Sequence, residues 1–190
     1  RRNYRKCSQS SKGERCKRSL RIHYSWSINH QGDFEIAKEM VYVAKAAKCD
    51  AIKFQIHQLD DEMLINTPIS KNFGDKSLYQ ALDETNLSIK ELSNLKKICE
   101  DIEIEFLCTP FSFKSCDTLV NKIGVNAIKV GSGECTNHPL QKHIASKKKP
   151  VIFSTGMTEF NEVKETYNLY KRQKVDFAMM HCVSAYPCPY

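Results

Sequence analysis

Short apolar runs alternate with stretches of helix length through most of this chain. Runs that begin near residues 105, 127, 151 and 177 are evenly spaced, and two earlier runs occupy residues 22–28 and 51–55. An evenly spaced alternation of strands and helices is typical of α/β proteins, in which parallel strands are joined by helical crossovers. The sequence therefore predicts a parallel sheet covered by helices.

The helices are expected where apolar residues recur every three to four positions. Ser88 and Glu91 have the spacing of a capping box, so a helix is expected to begin at Ser88. The other predicted helices span residues 34–48, 115–122, 139–146 and 159–174. Residues 56–87 are left as a long connection, and a connection of that length in a compact domain is more often functional than idle.

Two architectures fit this alternation, namely a doubly wound open sheet and a (β/α)8 TIM barrel. No GxGxxG motif follows the first strand, which weighs against a doubly wound nucleotide-binding fold. Polar residues instead end nearly every strand, as they do around the active site of a barrel. We predict an α/β TIM barrel present as about six of its eight βα units, so residues 22–190 form a truncated barrel domain.

The formal net charge of +7 comes from the start of the chain. Residues 1–21 hold nine Lys or Arg and a single acid, Glu14, which leaves 20 basic and 21 acidic residues in the remainder. This segment lacks periodicity, a signal-peptide apolar region and the aromatic residues of a nucleic-acid module. We predict a disordered or non-native leader over residues 1–21, and no nucleic-acid partner.

The nine cysteines do not form any CxxC pair, and several lie in apolar segments. This usage favours reduced thiols that serve as small apolar residues, and hence a cytoplasmic protein. No apolar run reaches the roughly 18 residues of a membrane span, so no membrane partner is expected.

A candidate anion site lies in the strand–helix–strand unit of residues 127–157. Lys129 interrupts an apolar run, where an ammonium is costly to bury unless an anion meets it, and Ser132 and Ser154 follow two adjacent strands. One cation and two hydroxyls at neighbouring strand ends favour anion binding. The alternative is a lysine that reaches solvent beside two ordinary turn serines.

An ordered set of motifs resembles the sialic acid synthase (N-acetylneuraminate synthase) family. The motifs are INHQGD (28–33), AIKFQ (51–55), DEM (61–63), EFLCTPFS (105–112), IKVGSGECTNHPL (128–140), KPVIFSTGM (149–157) and MHCVSAYPCP (180–189). Each is weak alone, but the order GSGEC, STGM, SAYP is specific, and the resemblance covers residues 28–190. It corresponds to the N-terminal barrel portion of that family.

The resemblance implies a phosphoenolpyruvate-dependent condensation with N-acetylmannosamine or a related amino sugar, forming a sialic acid and releasing phosphate. It also implies a divalent metal, Mn2+ or Mg2+, and a homodimer in the full-length protein. The alternatives are a non-catalytic truncated remnant and another phosphoenolpyruvate-condensing deoxy-sugar-acid synthase. The DNA that follows the Tyr190 codon would distinguish these possibilities.

The resemblance also assigns residues to the two substrates. The phosphoenolpyruvate-binding residues would be Lys53, Thr109, Lys129, Ser132, Ser154 and Ser184. The residues holding the sugar would be Gln55, Glu134 and Tyr186. A small trianion needs several charges and donors that converge from different strands, and a barrel rim supplies them. Structural alternatives remain: the lysines could pair with Glu105 or Glu134, and Tyr186 could merely pack in a turn.

No metal ligand is assigned in this chain. His30, His138 and His181 lack the helical spacing of paired metal ligands, and the family's metal histidines lie further along the barrel. We expect the metal to be held by the full-length protein, outside these 190 residues.

The sequence departs from the family pattern at two positions. Ser25 stands where the family has the glutamate of an E-I-G motif, so the catalytic residue is unknown, and Lys48 stands where glycine usually ends the first helix. We predict that residues 1–27 are a misread frame. The codons of residues 23–25, read one base later, can encode two isoleucines and the start of an alanine codon, which is how members of the family lead into that motif. We further expect poor solubility as a monomer, because the sixth strand would present an unpaired edge.

Overall fold

The computed structural model describes residues 24–25, 29–69 and 75–185, and they form a parallel six-stranded sheet with helical crossovers. The strands are β1 (Tyr24–Ser25), β2 (Ala51–Ile56), β3 (Glu105–Pro110), β4 (Ile128–Val130), β5 (Val151–Ser154) and β6 (Phe177–Met180). The helices are α1 (Phe34–Ala46), α2 (Leu78–Thr85), α3 (Ile89–Asp101), α4 (Phe113–Thr118), α5 (His138–Ser146) and α6 (Phe160–Gln173). The predicted α/β class is confirmed.

The strands are hydrogen-bonded in their order along the chain, from β1 to β6, and every pair is parallel. A doubly wound sheet reverses its direction at a switch point, so this order excludes that alternative for the described strands. Right-handed crossovers that always step the same way place all helices on one face of the sheet. That is the arrangement of a barrel wall.

Burial separates the two faces of the sheet. Ile52, Phe54 and Ile128 belong to a large apolar core that the strands share with the helices. The alternate residues of the same strands face the other side, where Ala51, Leu107 and Ala127 form a small separate cluster. Because side chains alternate along a strand, the polar residues Lys53 and Lys129 lie on this second face, opposite the core that the described helices share with the sheet.

Local capping explains where several helices begin. Asp33 accepts hydrogen bonds from the backbone N–H groups of Glu35 and Ile36 at the start of α1. Ser88 and Glu91 form the predicted capping box at the start of α3, so that prediction is confirmed.

The structure corrects the sequence prediction in the long connection. Residues 56–87 contain α2 and a short 3₁₀ turn, Leu59–Asp61, so this segment is not simply a loop. Ser77 and Gln80 form a capping box for α2, but none of its residues is fully buried. The helix has only eight residues, so its apolar residues extend over about two turns and gave too short a pattern to predict it. The helix predicted at 115–122 begins earlier, at Phe113, and continues as a π-helical turn over Leu119–Ile123.

None of the helices in the described part of the chain is long and apolar enough to cross a membrane. The described cysteines are free thiols, and four of them are fully buried: Cys99, Cys108, Cys116 and Cys135.

Lys48 lies just beyond α1 with a φ of 58°, in the left-handed region that favours glycine. We expect Lys48→Gly to raise the free energy of unfolding by about 0.5–1 kcal/mol. Relief of the backbone strain in the folded chain should outweigh the conformational entropy that glycine adds to the unfolded chain. Chemical denaturation measures the change. Lys97→Gly, within α3, is the control and should instead destabilise by about 0.5–1 kcal/mol. A loss at both sites would contradict this view of Lys48.

Candidate active site

Two lysines are buried on the face of the sheet opposite the main apolar core. Lys53 in β2 and Lys129 in β4 are each only 6% exposed. The Lys129 ammonium donates hydrogen bonds of 2.6 Å to the Ser154 hydroxyl and to the carbonyl of Val130. Neither lysine forms a salt bridge with a carboxylate among the described residues, so the predicted alternative of pairing with Glu105 or Glu134 is wrong there.

Burial lowers the pKa of both lysines, because a charged ammonium is poorly solvated at these positions. The pKa of Lys129 falls to about 8, first through burial and then through the nearby positive charge of Lys53. Two buried lysines, one of which lowers the pKa of the other, without a carboxylate partner among the described residues, favour an anionic ligand.

Three small groups converge just beyond the carboxyl ends of β4, β5 and β6, and we call Ser132, Gly156 and Ser184 the hydroxyl cradle. The backbone N–H of Gly156 donates to the Ser132 hydroxyl over 3.1 Å. A Cβ atom at position 156 would lie 2.5 Å from the Ser184 hydroxyl oxygen and 2.9 Å from that of Ser132. The loops that follow β4, β5 and β6 thus meet at one point, where only glycine fits between the two hydroxyls.

The structure brings together most of the residues predicted to bind phosphoenolpyruvate. Lys129 bonds to Ser154, and Ser132 and Ser184 meet across Gly156. Thr109 is buried in β3, in register with Gln55 of the neighbouring strand. Gly156 was not predicted as a site residue, although it lies within the STGM motif, because its crowding depends on loops from three different strands.

The structure describes two of the three residues predicted to bind the sugar, Gln55 and Glu134. Gln55 lies at the end of β2 on the same face as Lys53. Glu134 ends the short 3₁₀ turn after β4, where its carboxylate accepts a 2.8 Å hydrogen bond from the Asn137 amide. Tyr186 lies outside the described residues. Ser25, where the sequence resemblance implies a glutamate, is paired in register with Lys53 in the neighbouring strand.

The three histidines considered from the sequence, His30, His138 and His181, lie in different surroundings and do not form a cluster. His30 is buried, its Nδ1 accepts the backbone N–H of Gly32, and burial lowers its pKa. His138 contacts Thr166 and Glu165 on the helical side, and His181 is exposed. Across the described ranges, no three His, Cys, Asp or Glu side chains lie close enough to hold a metal ion.

A histidine–carboxylate pair that the sequence did not reveal lies after β2. Nδ1 of His57 is 2.8 Å from the Glu62 carboxylate, and both side chains are almost fully buried. The His57 ring stacks on Phe111, with ring centroids 4.5 Å apart. Nε2 of His57 is buried and meets no hydrogen-bond partner in the described part of the chain. The five-residue separation of His57 and Glu62 matches no common motif, so only the fold shows the pair.

Strand order and the paired lysines define an α/β protein of barrel-like topology with a cationic site at the carboxyl edge of its strands. The chain belongs to the NeuB family, whose model matches residues 40–190.

Curated relatives and a solved structure agree with this family. The chain is 40% identical over 164 residues to the uncharacterized protein MJ1065 of Methanocaldococcus jannaschii, with 86% of this chain and 46% of the relative covered. It is 37% identical over 175 residues to N,N'-diacetyllegionaminic acid synthase of Legionella pneumophila, covering 86% and 48%. The chain thus spans about half the length of these curated relatives.

The fold is similar to that of the N-acetylneuraminic acid synthetase from Leptospira borgpetersenii, crystallised in complex with citrate. The TM-score is 0.75 at 28% sequence identity, and the alignment covers 90% of this chain and 57% of the other. The parallel α/β sheet predicted from the sequence therefore has a counterpart in a solved sialic acid synthetase.

Proposed function

We propose that this chain carries the phosphoenolpyruvate-binding part of a synthase that condenses phosphoenolpyruvate with an N-acetylated amino sugar and releases phosphate. The observation that carries the proposal is the pair of buried lysines, Lys53 and Lys129, without a carboxylate partner among the described residues. Family membership and the legionaminic acid synthase relative support the reaction class. The citrate in the related synthetase supports an anion site in this fold.

The residues have separable roles in this proposal. Lys53 and Lys129 neutralise the charge of phosphoenolpyruvate, and the hydroxyl cradle, with Ser154 and Thr109, donates hydrogen bonds to its phosphate or carboxylate. These contacts hold the enol carbon in a fixed position toward the sugar aldehyde. Gln55, Glu134 and Tyr186 are proposed to hold the amino sugar.

A divalent metal and a homodimer belong to the same proposal for the full-length protein. Mn2+ or Mg2+ would polarise the aldehyde oxygen as a Lewis acid. The described residues provide no cluster for such an ion, so no step is assigned through it here.

Calorimetric titration with phosphoenolpyruvate tests this proposal. We expect phosphoenolpyruvate to bind with its highest affinity below about pH 8, where Lys129 is protonated. The affinity should fall as the pH rises through that value, because the ligand-free site then loses the Lys129 proton. The sign follows because a bound anion stabilises the ammonium form and raises its pKa, so binding takes up a proton above pH 8.

The controls use the same titration. Lys122→Met removes an exposed lysine and should leave the affinity and its pH profile unchanged. Absence of phosphoenolpyruvate binding, or an affinity that does not change around pH 8, would contradict the two-lysine site. Phosphate release by the full-length protein with N-acetylmannosamine or a diacetamido sugar, supplied with Mn2+, then identifies the preferred sugar.

A further inference from the structure

We propose that Lys129 also forms an imine with α-keto acids that enter the hydroxyl cradle. This carbonyl chemistry goes beyond the proposed condensation, in which both lysines are assigned only electrostatic roles. The inference rests on the anion site of the proposed function, and its ligand class is a short carboxylate with an adjacent ketone, such as pyruvate.

The surroundings of Lys129 suit an amine nucleophile. Its Nζ is buried, free of carboxylates among the described residues, and 2.6 Å from the Ser154 hydroxyl. A lysine becomes nucleophilic when it is desolvated beside another cation, since its neutral form is then favoured. The groups that act on Lys129 are Lys53, which opposes its charge, and Cys135 and Cys182, which weakly favour it.

Lys129, rather than Lys53, is expected to react. Burial, and then the positive charge of Lys53, lower the pKa of Lys129 to about 8, and Lys129 is the lysine whose amine contacts Ser154, two residues before Gly156 of the cradle. The ammonium form of Lys53 attracts the carboxylate of the keto acid.

The hydroxyl cradle supplies the position for that carboxylate. Ser132 follows the strand that carries Lys129, Gly156 follows the neighbouring strand that ends at Ser154, and Ser184 reaches the cradle from the loop after β6. An α-keto acid has its carboxylate one bond from its carbonyl carbon. A carboxylate hydrogen-bonded to the cradle hydroxyls therefore holds the keto carbon at the carboxyl ends of these strands, where the Lys129 amine lies.

The step is balanced without any further cofactor. The lone pair of the neutral amine attacks the keto carbon, the carbonyl electrons move to oxygen, and a proton shift gives a carbinolamine. Its hydroxyl group then takes a proton, from Lys53 or water, and leaves as water, giving an iminium with one N–H. The Ser154 hydroxyl can relay the proton that leaves nitrogen.

Reductive trapping with pyruvate and sodium borohydride tests the inference. Borohydride delivers hydride to the imine carbon and makes the bond permanent, so intact-protein mass spectrometry should show one reduced pyruvate adduct per chain. Peptide mapping of the wild-type chain should place it on Lys129. The yield should rise as the pH passes about 8, and inorganic phosphate should suppress the adduct by at least tenfold.

Matched variants complete the test. Lys129→Arg keeps a cation but should abolish the adduct, whereas Lys122→Arg, at an exposed site, should leave it unchanged. Modification of Lys53, or adducts spread over exposed lysines and unaffected by phosphate, would overturn the inference. If calorimetry shows phosphate binding and no adduct forms, the imine is excluded while the anion site stands. If neither is seen, the proposed function also fails.

Discussion

Lys129→Met is expected to make the chain more stable while it loses its affinity for phosphoenolpyruvate. The methionine keeps an apolar chain of similar length but removes a buried ammonium that the fold does not pair with a carboxylate in its described part. We expect the free energy of unfolding at pH 7 to rise by about 2 kcal/mol, and the affinity for phosphoenolpyruvate to fall at least tenfold.

The sign of the stability change follows from the pKa of Lys129. In the folded chain it is about 8, below the ordinary value of 10.5, so the unfolded chain holds this proton more tightly. The buried charge therefore costs about 3 kcal/mol below pH 8, and the lost hydrogen bonds to Ser154 and Val130 offset about 1 kcal/mol of the gain. The stabilisation should shrink as the pH rises from about 8 towards the unfolded value.

Denaturation curves at several pH values measure this effect, with Lys122→Met as the control at an exposed lysine. The control should change neither stability nor affinity appreciably. If Lys129→Met destabilised the chain at pH 7, Lys129 would have a structural role that outweighs the cost of its burial.

Gly156→Ala is expected to block the anion site without unfolding the chain. The new Cβ would lie 2.5 Å from the Ser184 hydroxyl oxygen and 2.9 Å from that of Ser132, so both hydroxyls must leave the cradle. Loss of two hydrogen-bond donors to a charged ligand costs about 3 kcal/mol, or roughly a hundredfold in affinity. Calorimetry with phosphoenolpyruvate measures the loss.

Gly133→Ala is a close control, because Gly133 adjoins Ser132 in the turn after β4 and nothing lies within 4 Å of a Cβ built at that position. It should bind phosphoenolpyruvate as the wild type does. Equal affinity in both variants would show that the cradle does not contact the anion.

The sequence was a good guide to elements with strong local signals. The capping box of Ser88 and Glu91 and the apolar stripe behind it predicted the start of α3, because both signals act within one turn. The short strands β2 and β5 were predicted because their apolar runs are bounded by polar turns. Helix α2 was missed although Ser77 and Gln80 cap it, since its eight residues give too short an apolar pattern.

Parts of the candidate site could not be predicted, since they depend on contacts between distant segments. Lys129 was a candidate because an ammonium inside an apolar run is unusual, but its proximity to Lys53 depends on the sheet. The crowding at Gly156 depends on loops after three strands, and the His57–Glu62 pair depends on how the chain turns after β2.

A crystal structure of the chain grown with phosphoenolpyruvate tests the central claim most directly. The account predicts the ligand at the carboxyl edge of the sheet, with its anionic groups in hydrogen-bond contact with Lys53, Lys129 and the hydroxyl cradle. Phosphoenolpyruvate bound elsewhere, with the Lys129 ammonium still hydrogen-bonded only to Ser154 and Val130, would contradict it.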